Sequence, residues 1–242
     1  MINKYFSYYK RGVQLLNKNI VIYFVGLLIF ILPQLDTIIG SFGIHIGLFI
    51  TIVKYIFSIL IFGSIFLSIT TLNDAFNKQT ITALSIWNNY KKTFVKSIKI
   101  MLLLTFFAMV WFGLINSPQR PLLPKAFAFL PSLISVLLFP ITTYFGIYLA
   151  IENNSFVDSI KNSVVFYLNN FSFTLLSIIY GLINRLILSS ELFVLKTDSI
   201  FYYVYEVVII YFSLIISAAF LIYFKEINQQ KSGNSKIPLT SN

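Results

Sequence analysis

The sequence predicts an all-α fold: a polytopic membrane bundle of six transmembrane helices in three hairpins, each preceded by a cytoplasmic amphipathic helix. Three observations predict it. The 242 residues are 57% hydrophobic and only 11% charged, with a mean hydropathy of +0.83, whereas a soluble domain is about 25% charged. Six apolar runs, at about 20–39, 46–72, 99–116, 126–150, 171–190 and 200–224, approach or exceed the roughly 20 helical residues that cross about 30 Å of hydrocarbon. The runs lack the two-residue alternation of barrel strands, and their connections alternate between short and long.

Taken in order, Met1 to Asn19 carries Lys4, Lys10, Arg11 and Lys18 ahead of the first run. No small-residue cleavage pattern follows, so the first run reads as a retained span. Phe6, Tyr9, Val13, Leu16 and Ile20 form a helical stripe before it. Pro33 and Asp36 interrupt that first run, and the third run is short. Between the second and third, Ile81, Leu84, Trp87, Lys91, Phe94 and Ile98 form a second stripe behind Thr80. Pro131 and Pro140 fall in the fourth run, where each removes a backbone donor and predicts a kink. The third stripe is Phe156, Ile160, Val164, Leu168 and Phe171, with Asp158, Lys161 and Asn162 off it and Ser155 placed as its N-cap. This interfacial helix, with Lys161 on its polar side, is expected to lie against lipid headgroups or the floor of the bundle.

Two of these segments overlay without gaps. "YYKRGVQLLNKNIVIYF" from Tyr8 matches "SIKNSVVFYLNNFSFTL" from Ser159, pairing Lys10 with Lys161 and Asn19 with Asn170. Each asparagine stands at the door of an apolar run. Residues 1–225 therefore read as one membrane domain of three repeat units, near 3–72, 80–150 and 155–224. The polar segment 226–242, with Gly233 and Pro238, is expected to be a disordered cytoplasmic tail.

Basic residues set the orientation. With both termini inside, the cytoplasmic side holds most of the 18 lysines and arginines, including Lys78, Lys91, Lys92, Lys96, Lys99, Lys161 and Lys225. The net charge of +10 then reflects topology and contact with anionic headgroups of the bilayer, not nucleic acid.

The run "YFGIYLAIENNSFVDSIKNSVVFYLNNF" resembles the multi-helix membrane domain fused to some bacterial glycerophosphodiester phosphodiesterases, and its stand-alone integral-membrane relatives. Ala150, Ile151, Glu152, Ser155, Ser159 and Ser163 carry the likeness. The resemblance implies a six-helix bacterial cell-membrane domain. It implies no phosphodiesterase activity, because the barrel that performs it is not in this sequence.

The chemistry available is narrow. With no cysteine, disulfides, thiolate nucleophiles and cysteine metal sites are excluded. One histidine, His45, is too few for a zinc protease motif. No nucleophile elbow or phosphate loop is present, so neither a catalytic residue nor a cofactor is expected. The candidate intramembrane polar site is Asp36, Lys54, Arg185, Glu191 and Glu206, since ionisable groups in lipid mark function by default. Arg185 lies 14 residues past Phe171, at about 21 Å depth, and Glu206 or Glu191 is its partner. The set reads either as structural ion pairs or as an outward-facing polar pocket. Two functions follow: a non-enzymatic accessory subunit that engages lipid and another membrane or ATPase subunit, or a small-solute transporter or permease component built around Arg185.

Overall fold

The computed structural model describes residues 2–27, 66–96, 98, 130–189 and 200–234, and every regular element among them is a helix. They are α1 (Ile2–Lys18), α2 (Leu67–Phe76), α3 (residues 83–96), α4 (Leu130–Ala150), α5 (Phe156–Asn169), α6 (Phe171–Ser189) and α7 (Ile200–Asn234), with a short helical stretch at 21–27 after α1.

Local chemistry explains where they start and stop. Ser155 caps α5 as expected, its Oγ accepting from the Asp158 N–H at 3.2 Å while its hydroxyl donates to the Asp158 carboxylate at 2.5 Å. Removing that cap in Ser155→Ala is expected to cost about 1 kcal/mol in thermal unfolding; an unchanged midpoint would show that the cap is not holding α5. The cap of α3 is Thr82. Thr82 and Ser85 bond reciprocally, Ser85 N–H to Thr82 Oγ1 at 3.2 Å and Thr82 N–H to Ser85 Oγ at 2.9 Å. Lys78 and Asn153, after α2 and α4, take positive φ of 58° and 59° and turn the chain out of each helix.

The core lies between α4 and α7. Tyr144 of α4 stacks on Phe220 of α7 at 5.1 Å, and Phe166 of α5 leans on Tyr144 at 4.7 Å. Phe173 of α6 stacks on Tyr223 of α7 at 4.0 Å, and Tyr5 and Tyr8 of α1 meet both rings edge-on. Helix α1 lies along α7 at close backbone approach: a Cβ on Gly12 would stand 2.8 Å from Ile215 O. Pro140 sits inside α4.

One helix among the described residues, Val207–Gln230, is long and apolar enough to cross a membrane, at about 36 Å for its 24 residues. Helices α5 and α6 would form a second only as a broken pair, because they meet at 94°. Helix α7 continues to Asn234, so the segment expected to be disordered from 226 begins as helix. Glu226 pairs with Arg11 of α1 and Ile227 packs on the core, which holds that extension in place. Residues 235–242 lie outside the described residues.

Candidate functional site

The candidate site is the layer where α1 and α5 break into the helices that follow them. In an α-helix the N–H at i bonds the carbonyl at i−4, so a break strands carbonyls that need another donor. At the first break Asn19 N–H bonds Leu16 O at 3.0 Å, and Ile22 N–H bonds Asn19 O at 2.9 Å. The stranded Leu15 carbonyl accepts from the Asn19 side-chain amide at 2.9 Å. The second break repeats this 151 residues on, at the spacing of the overlay. Asn170 N–H is shared between Tyr167 O and Phe166 O, each at 3.1 Å, Phe173 N–H bonds Asn170 O at 3.0 Å, and the Asn170 amide adds a second donor to Phe166 O at 2.8 Å. An asparagine is suited to this position because its side chain is short and carries a donor for the freed carbonyl.

Helix α7 grips both breaks with tyrosines. Tyr223 donates to Asn170 Oδ1 at 2.7 Å, and Tyr211 donates to Asn17 Oδ1 at 2.8 Å. Tyr9 of α1 reaches across to donate to Phe173 O at 3.3 Å. Burial raises the Tyr9 pKa well above the usual tyrosine value, which keeps that hydroxyl protonated as a donor. Asn170→Ala removes both side-chain bonds: Phe166 O keeps only the Asn170 backbone N–H at 3.1 Å, and the Tyr223 hydroxyl loses its acceptor. The expected loss is about 2 kcal/mol in thermal unfolding; a loss no larger than that of an exposed control such as Asn162→Ala would show that the amide does not fasten the break.

Of the two placements expected for the α5 stripe, lipid headgroups or the bundle floor, its burial argues against the second. The stripe Phe156, Ile160, Val164, Leu168 and Phe171 does not rest as a whole on the bundle. Leu168 is 64% exposed, Ile160 and Phe171 are exposed, Val164 is half-buried, and only Phe156 packs inward, edge-on to Phe145 at 5.6 Å. Lys161 is exposed. The face turned to the protein is Ser159, Ser163, Phe166 and Tyr167. Helix α1 behaves alike: Phe6 and Ile20 are each 61% exposed, while Tyr8, Gly12 and Leu16 are buried. Positions 8, 12 and 16 correspond to 159, 163 and 167 at the same 151-residue offset.

The reason is steric. Small side chains let these helices approach their neighbours closely, as at membrane helix contacts generally. Ser159 and Ser163 are fully buried because their hydroxyls are satisfied within α5, at Ser155 O (2.7 Å) and Ile160 O (2.8 Å). Serine in that state packs as an apolar residue. The clue in the sequence was the four-residue spacing of small residues beside the hydrophobic stripe.

Charged groups ring the same layer. Arg11 pairs with Glu226, and Lys225 lies 3.6 Å from Glu152. Lys96 of α3 donates to Leu149 O at 2.8 Å and to Asn153 Oδ1 at 2.5 Å, placing a cation at the C-terminus of α4 where the helix dipole favours it. Burial and the nearby Lys92 charge lower the Lys96 pKa from the usual lysine value. Asp74 and Asn89 join α2 to α3 through a 2.6 Å bond.

Of the expected intramembrane set, Asp36, Lys54 and Glu191 lie outside the described residues. Arg185 and Glu206 fall on the helical backbones of α6 and α7, and their side chains lie outside the description. No group of three metal-ligating side chains occurs among the described residues. Between α2, α4, α5 and α7 lies a cleft of about 460 Å³ that the sequence did not signal. Comparison with known proteins places the chain beside none of them: no family model, no curated protein and no solved structure matches it.

Proposed function

We propose that this protein is a multi-pass protein of the cell membrane, with six spans in three hairpins and both termini cytoplasmic. On this reading α1, α3 and α5 lie along the inner interface, and the protein acts as a non-enzymatic, lipid-engaging accessory subunit. The observation that carries the reading is the right-angle break between α5 and α6, with exposed apolar side chains continuing across both arms. Val157, Ile160 and Leu168 stand out from α5, and Leu175, Ile179 and Ile183 from α6. Water penalises such surface by roughly 25 cal/mol per Å², and soluble monomers rarely expose apolar patches beyond a few hundred Å².

A helix lying in the interface beside one that crosses the bilayer gives both apolar faces a favourable solvent. Lys10, Lys18 and Lys161, all exposed, then meet anionic headgroups at about 1 kcal/mol each. The sequence offers no nucleophile, metal cluster or acid–base pair for a catalyst, which supports a partner-organising role.

Because the chain has no cysteine, single cysteines introduce unique probes. Cysteines at Leu168 and Leu175 are expected to resist a membrane-impermeant maleimide until detergent is added. A cysteine at Lys161 should react from the cytoplasmic side alone. Rapid labelling of Leu175→Cys in intact vesicles would sink the membrane placement. The accessory role is checked by recovery in mild detergent, where a stoichiometric membrane or ATPase partner is expected; solute counterflow by the purified protein alone would replace that role with transport.

A further inference from the structure

We propose that the cleft between α2, α4, α5 and α7 holds the hydrocarbon chain of an inner-leaflet phospholipid, an inference that rests on the membrane placement above. Its volume, about 460 Å³, falls in the roughly 300–1,000 Å³ range of small-molecule sites. The chemistry of its walls selects the occupant. Among the described residues no charged side chain lines it, and aromatic and aliphatic groups such as Phe66, Ile69 and Phe145 dominate.

The hydroxyls on those walls are largely committed elsewhere. Thr142 and Thr143 donate to Phe139 O at 2.8 and 3.0 Å, Ser163 to Ile160 O at 2.8 Å, and Ser217 to Ser213 O at 2.9 Å. A polar solute entering the cleft would shed water and find these donors already engaged, a desolvation cost without return. A hydrocarbon chain sheds no hydrogen bonds on entry.

Position agrees with composition. Thr142 lies eight residues, about 12 Å, before the end of α4, and Ser217 seven residues, about 10 Å, before Phe224. The cleft therefore opens at acyl-chain depth in the inner leaflet, just above α5. Ile160 belongs both to the cleft wall and to the exposed apolar face of α5, so the cleft continues the surface that meets lipid. One wall is set by Gly146, where a Cβ would stand 2.5 Å from Ile69 Cδ1 and 3.1 Å from Phe66 Cδ1. The missing side chain lets both residues lie back against α4, leaving the space in front of them open.

The test uses the full chain in bilayer nanodiscs of phosphatidylethanolamine and phosphatidylglycerol containing a phospholipid with a diazirine in its acyl chain. After photolysis, adducts are mapped by mass spectrometry. Labelling of 141–145 and 156–163 is expected in the unaltered chain. Thr142→Trp, which fills the cleft from an exposed position, should lower it about tenfold, and Ser68→Phe should do the same from the opposite wall. Adducts at Leu175 and Ile179, which report bulk lipid, should be unchanged by both variants. Cleft labelling that is insensitive to either variant, with Leu175 still labelled, would overturn the site and leave the membrane placement standing. Absence of labelling at all of these positions would overturn both.

Discussion

Replacing Gly12 with valine is expected to unseat α1 from α7 and lower stability by about 3 kcal/mol, at the upper end of overpacking penalties. The obstacle is backbone. The first added carbon would stand 2.8 Å from Ile215 O and 3.2 Å from Ala219 N, both on the main chain of α7. A helix backbone has no rotamer to swing aside, so α1 itself must move. Gly26 makes the useful contrast, since its added carbon would meet Leu214 Cδ1 at 2.9 Å, the end of a flexible side chain. Gly26→Ala should therefore cost less than 1 kcal/mol, or about a third of the Gly12 effect. Thermal unfolding in detergent, with trypsin cleavage at Lys10 and Arg11 as a local readout, separates the two. A Gly12→Val protein with an unchanged midpoint and an unchanged cleavage rate would show that α1 is not seated there.

Phe173→Ala is expected to produce the largest loss of any single truncation, about 3–5 kcal/mol. Its ring is fully buried and touches two helices besides its own, through Tyr5, Tyr8 and Tyr9 of α1 and Phe220 and Tyr223 of α7, with Tyr144 of α4 stacked behind Phe220. Removing it opens a cavity lined by rigid rings that collapse poorly, and a cavity that cannot collapse sets the cost. Phe171, two residues earlier, is exposed; Phe171→Ala should shift the midpoint by less than about 1 kcal/mol. Equal effects at the two positions would show that Phe173 does not organise the junction of α1, α6 and α7.

What the sequence made legible follows the strength of each local signal. Helices at 2–18 and 156–169 were announced by their stripes, and Ser155 by its place before one of them. The pairing of Asn19 with Asn170 proved informative to the level of single bonds, because a helix break demands a specific donor at a specific place. The face of α1 and α5 that turns inward was not legible from hydrophobicity. Apolar residues lie on both faces of these helices, so apolar character does not distinguish inside from outside, and the contacts fall to Gly12, Ser159 and Ser163, chosen for size. The cleft was hidden for a similar reason: its shape depends on Gly146, whose missing side chain matters only once Ile69 and Phe66 are placed against it. The start of α3 is set locally, by the reciprocal bonds of Thr82 with Ser85 three residues on.

The seat of α1 on α7 also bears on how the protein is made. Arg11 and its partner Glu226 are 215 residues apart, and Gly12 is buried against Ile215 and Ala219. Helix α1 thus leaves the ribosome long before the surface that receives it exists. During that interval its buried edge has no protein to cover it, and contacts of such long sequence separation form late and slowly. Under the proposed membrane placement the opposite side, where Phe6 and Ile20 stand exposed, would hold the waiting helix at the interface. Helix α1 can seat only after residues 215–226 have been made, and a premature stop before Ile215 should yield a chain in which it never locks.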